Sequence, residues 1–143
     1  MIVDMDRSAI DMVKGLHKAL ESGLHGDALG ELFAPNAVFV EYPNLVTPNG
    51  ATRGASEALE GSKSGAQLLA WQRYELRDAF EQGELVVARV TWTAEIGRDR
   101  GPFRAGQRLR AHLAQFITVR DGRIARLETY DCYEPFPAAP SAG

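Results

Sequence analysis

Four long β-rich runs fill most of residues 71–134, and three breaks separate them. The runs are WQRYELRDAFE (71–81), LVVARVTWTAEIG (85–97), QRLRAHLAQFITV (107–119) and RIARLETYDCYE (123–134). The breaks are Gln82-Gly83, the loop GRDRGPFRAG, and Asp121-Gly122. An Asp-Gly pair between alternating runs is a two-residue hairpin signal, because both positions accept positive φ. A chain that ends this way is committed to an antiparallel meander.

The first half reads differently. Over residues 6–22, Ile10, Val13, Leu16, His17 and Leu20 recur at helical spacing and give one buried stripe. Gly23 and Gly26 end that helix. GDALGELF (26–33) is a second, short helix with Asp27 as a candidate N-cap. AVFVEYP (37–43) is a strand that stops at Pro43, and NLVTPNGATRG (44–54) is a turn-rich loop. ASEALEGSKSGAQLLA (55–70) is a third helix, with Ser56 as its candidate cap and interior glycines that weaken it. Helices first and a meander afterwards predict an α+β domain with its helices on one sheet face. At 143 residues one domain, residues 1–136, is the expectation. The Pro/Ala-rich end, residues 137–143, is expected to be disordered.

Several functions are disfavoured at this stage. The net charge is -3 and basic residues do not cluster on one element, so no nucleic-acid partner is expected. No apolar run approaches the roughly 20 residues that a membrane span needs. MIVDMDRSAI carries no apolar signal segment, which makes the cytoplasm the default compartment. Cys132 is the one cysteine, so an internal disulfide and a Cys-based zinc site are both excluded. His112, Asp131 and His17 match no standard metal spacing, and no metal is expected. Hydrophobic residues make up 45% of the chain, enough for a core with room for a cavity.

The last hairpin carries the chemistry. With Asp121-Gly122 as the turn, Arg120 pairs with Arg123, Phe116 faces Leu127, Ala114 faces Thr129, His112 faces Asp131 and Arg110 faces Tyr133. Alternation places all of these on one side of the sheet. Opposed Cβ atoms lie about 4.5–5.5 Å apart, so His112 and Asp131 can share a hydrogen bond. The face grades from apolar (Phe116, Leu127) to polar (His112, Asp131, Arg110, Tyr133), as the wall of a ligand pocket does. Two readings stand: a pocket-facing dyad, or a structural ion pair. A bulge would shift the register by one residue. The opposite face, with Leu109, Ala111, Leu113, Gln115, Ile117, Tyr130 and Cys132, fits partial burial in a dimer.

The stretches GDALGELFAPNAVFVEYPN, TRGASEALEG and FITVRDGRIARLETYDCYEPF resemble the SnoaL-like polyketide cyclase and ketosteroid-isomerase group of the nuclear transport factor 2-like superfamily. The resemblance covers residues 6–136. It implies a curved antiparallel sheet wrapped into a cone by three N-terminal helices, one apolar pocket, and frequent dimers. Fold alone does not name the reaction. Ketosteroid isomerases carry a general-base Asp before a Pro at the end of the first strand. Here Tyr42 stands at that point, a poor base, and the isomerases' oxyanion-binding Asp falls near Phe116. The polyketide cyclases use an acid on the last strand with a histidine on the strand before it, which Asp131 and His112 match in kind.

The resemblance therefore implies cofactor-free acid/base chemistry on a small hydrophobic carbonyl substrate: cyclisation, isomerisation or dehydration, as an isomerase/cyclase or lyase. Asp131 is the expected acid/base, with His112 sharing its proton. Tyr42 and Arg110 would polarise a substrate oxygen. Tyr133, His17, Phe116, Leu127 and Thr129 complete the expected binding surface, with His17 also readable as a core or pocket-wall residue. The alternative is a non-catalytic ligand-binding or scaffold protein of the same fold.

Overall fold

The computed structural model describes residues 8–136. The expectations for the N-terminal segment before Ser8 and for residues 137–143 lie outside the described residues. Helix α1 (Ala9–Glu21) starts where Ser8 accepts a hydrogen bond from the Asp11 N–H, and it buries Met12, Val13, Leu16 and His17. Helix α2 (Gly26–Gly30) has His25, not Asp27, at its N-cap position; Asp27 sits in its first turn. Next come β1 (Phe33–Glu41), β2 (Ala51–Gly54), α3 (Ala55–Leu68), β3 (Leu69–Gln82), β4 (Leu85–Ile96), β5 (Arg108–Arg120) and β6 (Arg123–Tyr133).

Three helices thus pack on one six-stranded sheet of order β2-β1-β6-β5-β4-β3, the expected α+β class. Two details differ from expectation. Residues 51–54, read as loop, pair with β1 as an edge strand, Ala51 opposite Glu41 and Arg53 opposite Phe39. The sheet is mixed, because β1 runs parallel to β6; all other neighbours are antiparallel. Helix α3 is continuous despite Gly61 and Gly65. A Cβ at either glycine would meet nothing within 4 Å, so both face open space. The α3 cap is supplied by Glu57, whose carboxylate accepts from the Gly54 N–H at 3.2 Å, and not by Ser56.

The hairpin turn forms as expected, with Asp121 at φ 52° and Gly122 at φ 73°. Arg120 pairs with Arg123 and Val119 with Ile124, but Thr118 then pairs with Arg126. Ala125 is an extra residue, a β-bulge, and every pair beyond it slips by one. His112 therefore faces Cys132, and Asp131 faces Leu113. The inner, helix-covered side of β5 carries Leu109, Ala111, Leu113, Gln115, Ile117 and Val119, all buried. These residues belong to the face that the simple register assigned to a dimer contact.

The main core joins Val13, Leu16, Leu29 and Phe33 to Val86, Ile117 and Ile124, between the first two helices and the sheet. Full burial of one such side chain is worth about 1.5–3 kcal/mol. A smaller cluster of Ala88, Val90, Ala111 and Leu113 continues the core toward Tyr74, Trp92 and Tyr133. Those three aromatics border the space that the core leaves unfilled. Among the described residues no helix is long and apolar enough to cross a membrane.

Candidate functional site

A cavity of about 450 Å³ lies between the inner face of the sheet and helices α1 and α3. Leu16, Phe33, Phe39, Leu113 and Leu127 make its apolar part. Leu24 and Val46 line it and are also solvent-exposed, at 37% and 36%. Gly61 and Gly65 line it from α3, where an added Cβ would meet no atom within 4 Å.

Asp131 stands on this wall, with Thr129 two residues before it on the same face of β6. The Thr129 hydroxyl donates to Asp131 Oδ1 at 2.5 Å. Burial pushes the Asp131 carboxyl above its ordinary range, the Thr129 bond opposes that rise, and the charge of Glu41 adds to it. Tyr133 lies further along the same face, edge-on to Trp92 with ring centroids 6.1 Å apart. Burial, then the charges of Asp131 and Glu41, push its phenol upward, so it remains a proton-bearing donor at neutral pH.

Glu41 and Arg53 bring charge to the cavity from β1 and β2. Arg53 Nη1 donates to Glu41 Oε1 at 3.0 Å, and Asn44 Nδ2 donates to Glu41 Oε2 at 2.8 Å. Burial alone would raise the Glu41 carboxyl. The hydrogen bonds from Asn44, Thr47 and Arg53 and the Arg53 charge outweigh it, and the net shift is downward.

His17 closes the inner end. Its Nε2 meets Gln115 Oε1 at 2.9 Å, and its ring stacks on Tyr74 at 4.8 Å and 7°. With the amide oxygen facing the ring, Nε2 carries the proton. Burial lowers the His17 pKa against the opposing effects of the Gln115 bond and Glu21, so the imidazole is neutral at pH 7.

Of the residues expected at the site, Asp131, Tyr133, His17, Leu127 and Thr129 line the cavity, and His112, Arg110, Phe116 and Tyr42 do not. The Ala125 bulge moves His112, Arg110 and Phe116 to the outer face, and no His112–Asp131 dyad forms. His112 Nε2 instead meets Glu134 at 2.8 Å, and Arg110 meets the same carboxylate at 3.1 Å. Tyr42 lies on the outer side too, donating to Glu128 at 2.7 Å and stacked on Tyr130 at 4.2 Å. Phe116 packs edge-on to Tyr130.

Glu41, Arg53, Gln115 and Tyr74 were missed. Gln115 had a readable signal, a lone amide among Leu109, Ala111, Leu113 and Ile117. Arg53 had none, since its segment reads as loop.

A family model described as a SnoaL-like domain matches residues 13–127, and the chain belongs to that family. Among solved structures, IdmH of Streptomyces antibioticus, a provisionally assigned polyketide cyclase, superposes with TM-score 0.71 at 23% identity over 87% of this chain and 91% of that one. A SnoaL-like polyketide cyclase from Agrobacterium tumefaciens gives TM-score 0.65 at 14% identity, covering 87% of this chain and 91% of that one. A protein of ketosteroid isomerase-like fold from Catenulispora acidiphila, in complex with trimethylamine, gives TM-score 0.65 at 20% identity and 84% coverage of both chains. At such identities the likeness establishes the fold. No curated protein matches by sequence.

Proposed function

We propose that this member of the SnoaL-like family is a cofactor-free enzyme that moves protons on a small, mainly apolar carbonyl substrate. Cyclisation, isomerisation and dehydration are the reactions within its reach. The observation that carries this reading is Asp131: a part-buried carboxyl with a raised pKa, on the wall of an open cavity. A carboxyl tuned upward by burial holds and releases protons closer to neutral pH than a free one does. Thr129 occupies Oδ1, which leaves Oδ2 to face the substrate. Tyr133, kept protonated, is the donor to the substrate oxygen. General acid/base help of this kind contributes roughly 10²–10⁴-fold.

The protein is further proposed to work as a cytoplasmic homodimer that pairs outer sheet faces. Phe80, Leu85 and Tyr130 are exposed there, at 66%, 37% and 43%, beside the Tyr42 and Phe116 rings. Light scattering of the purified chain tests this; a monomer at micromolar concentration rejects it.

The test of the chemistry is deuterium uptake next to the carbonyl of 2-tetralone in D₂O, followed by NMR. The wild type should exceed the buffer rate and Asp131→Asn should return to it. Exchange that survives Asp131→Asn rejects the reading. A ligand carrier is favoured by one observation, that His112 faces Cys132 and not Asp131, so this histidine does not serve Asp131 as a proton partner. It predicts tetralone binding with no exchange.

A further inference from the structure

The cavity lining carries two carboxylates, Glu41 and Asp131, a neutral imidazole, and one guanidinium. Arg53 is the single fixed cation among the described residues that line it. It spends one nitrogen, Nη1, on Glu41. Its Nε and Nη2 have no partner among the described residues. Guanidinium presents five N–H donors in a rigid fork that matches carboxylate geometry, so most of this fork is uncommitted.

A structural ion pair that ties β2 to β1 is the plain alternative. Two observations weigh against it as the whole account. Glu41 keeps a second donor besides Arg53, because Asn44 Nδ2 bonds its other oxygen, Oε2. The Arg53 side chain also keeps 35% of its surface exposed while lining the cavity.

We infer that Arg53 is a binding subsite for a carboxylate carried by an otherwise apolar ligand. Register gives the ligand a length. Arg53, Phe39 and Leu127 form one cross-strand row, and Glu41 with Thr129 forms the next. Asp131 lies one row further along β6. Two rows are four residues, so the Arg53 and Asp131 backbones are roughly 13 Å apart along the strands, and the Arg53 fork shortens that span by leaning onto Glu41, one row nearer. The fork therefore grips the ligand away from the reacting atoms. Binding energy at a remote group can hold the reacting part in place. Phe39 and Leu127 supply an apolar floor at the Arg53 end, and the Glu41–Thr129 row lies between it and Asp131.

The inference shares the cavity with the proposed chemistry but does not depend on turnover. Calorimetric titration with 2-naphthoate and its neutral counterpart 2-naphthamide tests it near pH 7. The wild type should bind the carboxylate more tightly. Arg53→Gln should weaken naphthoate by about tenfold or more, the scale of a charge-assisted hydrogen bond, and leave naphthamide nearly unchanged. Arg53→Lys should keep part of the preference, since it retains the charge and loses the fork. Glu41→Gln should tighten naphthoate several-fold by releasing the guanidinium and removing a like charge.

The opposed effects of the Arg53 and Glu41 variants are what a merely structural pair would not produce. Equal binding of the two probes, binding of neither, or equal weakening of both by Arg53→Gln overturns the inference. Should Glu41→Gln fail to fold, the Arg53→Gln and Arg53→Lys comparison decides alone. Failure of tetralone exchange with naphthoate selectivity intact would reject the enzyme and keep the subsite.

Discussion

Thr129 donates its hydroxyl to Asp131 Oδ1 at 2.5 Å, from two residues away on the same face of one strand. That bond favours the ionised carboxylate, while burial disfavours it, and burial is the larger effect. Thr129→Val keeps the shape of the side chain and deletes the donor. The Asp131 pKa should then rise further. A carboxyl-carbon NMR titration of both proteins reads the shift directly, and an unchanged or lowered value would contradict the account. If Asp131 is the acid/base, the pH profile of tetralone exchange should move upward with it.

The same carboxyl should make folding stability fall with pH. Below the ordinary Asp value of about 3.9, both folded and unfolded chains carry the proton. As pH rises past it, the unfolded chain ionises first, because the folded pKa is raised. The native state then binds more protons, and stability declines until the folded pKa is passed. Asp131→Asn removes that penalty. Its melting temperature should exceed the wild type's at pH 7 and converge on it near pH 3.

Glu41 has the opposite sign. Its folded pKa is lowered, so its contribution is present above the ordinary Glu value of about 4.3 and lost as pH falls through the folded value. Glu41→Gln should therefore be less stable than the wild type at pH 7, and the gap should close in acid. Calorimetric scans across that range check both variants. Parallel pH dependence for the two would sink the assignment of opposite shifts.

His17 and Gln115 are 4% and 6% exposed, and His17 Nε2 bonds Gln115 Oε1 at 2.9 Å. Gln115→Leu leaves the His17 N–H without its protein partner, at a cost of about 1–3 kcal/mol. His17→Phe retains a ring to stack on Tyr74 and strands the amide in the same way. The double variant removes both polar partners and should recover much of the loss. Urea unfolding of the four proteins forms the double-mutant cycle, and strictly additive costs would show that the hydrogen bond is not what couples the pair.

How far the sequence could be read depended on which signals are local. The helices, the four meander strands and the Asp121-Gly122 turn rest on spacing within one segment, and each formed. Strand β2 is four residues in a turn-rich stretch, and only its pairing with Glu41 and its neighbours makes it a strand. The parallel β1–β6 contact joins the two ends of the fold, so no periodicity announces it. The site was half legible for a similar reason. Alternation along β6 put Leu127, Thr129, Asp131 and Tyr133 on the cavity face correctly. The partner face on β5 was inverted, because the Ala125 bulge leaves no sequence mark and one inserted residue exchanges inside for outside.

The bulge turns His112 into a test of the whole assignment. If β5 presents Gln115 and Leu113 inward, His112 can touch only the outer-face cluster of Arg110 and Glu134. His112→Ala should leave naphthoate binding and tetralone exchange at wild-type levels. Its stability cost should stay within about 1 kcal/mol, the range of an exposed polar contact. Leu113→Asp, one residue away on the same strand, should cost several kcal/mol, because it places an unpaired charge at a site only 9% exposed. Thermal unfolding and the two ligand assays separate the cases. Were His112→Ala to abolish exchange while Leu113→Asp folded normally, the faces of β5 would be reversed and the His112–Asp131 dyad restored.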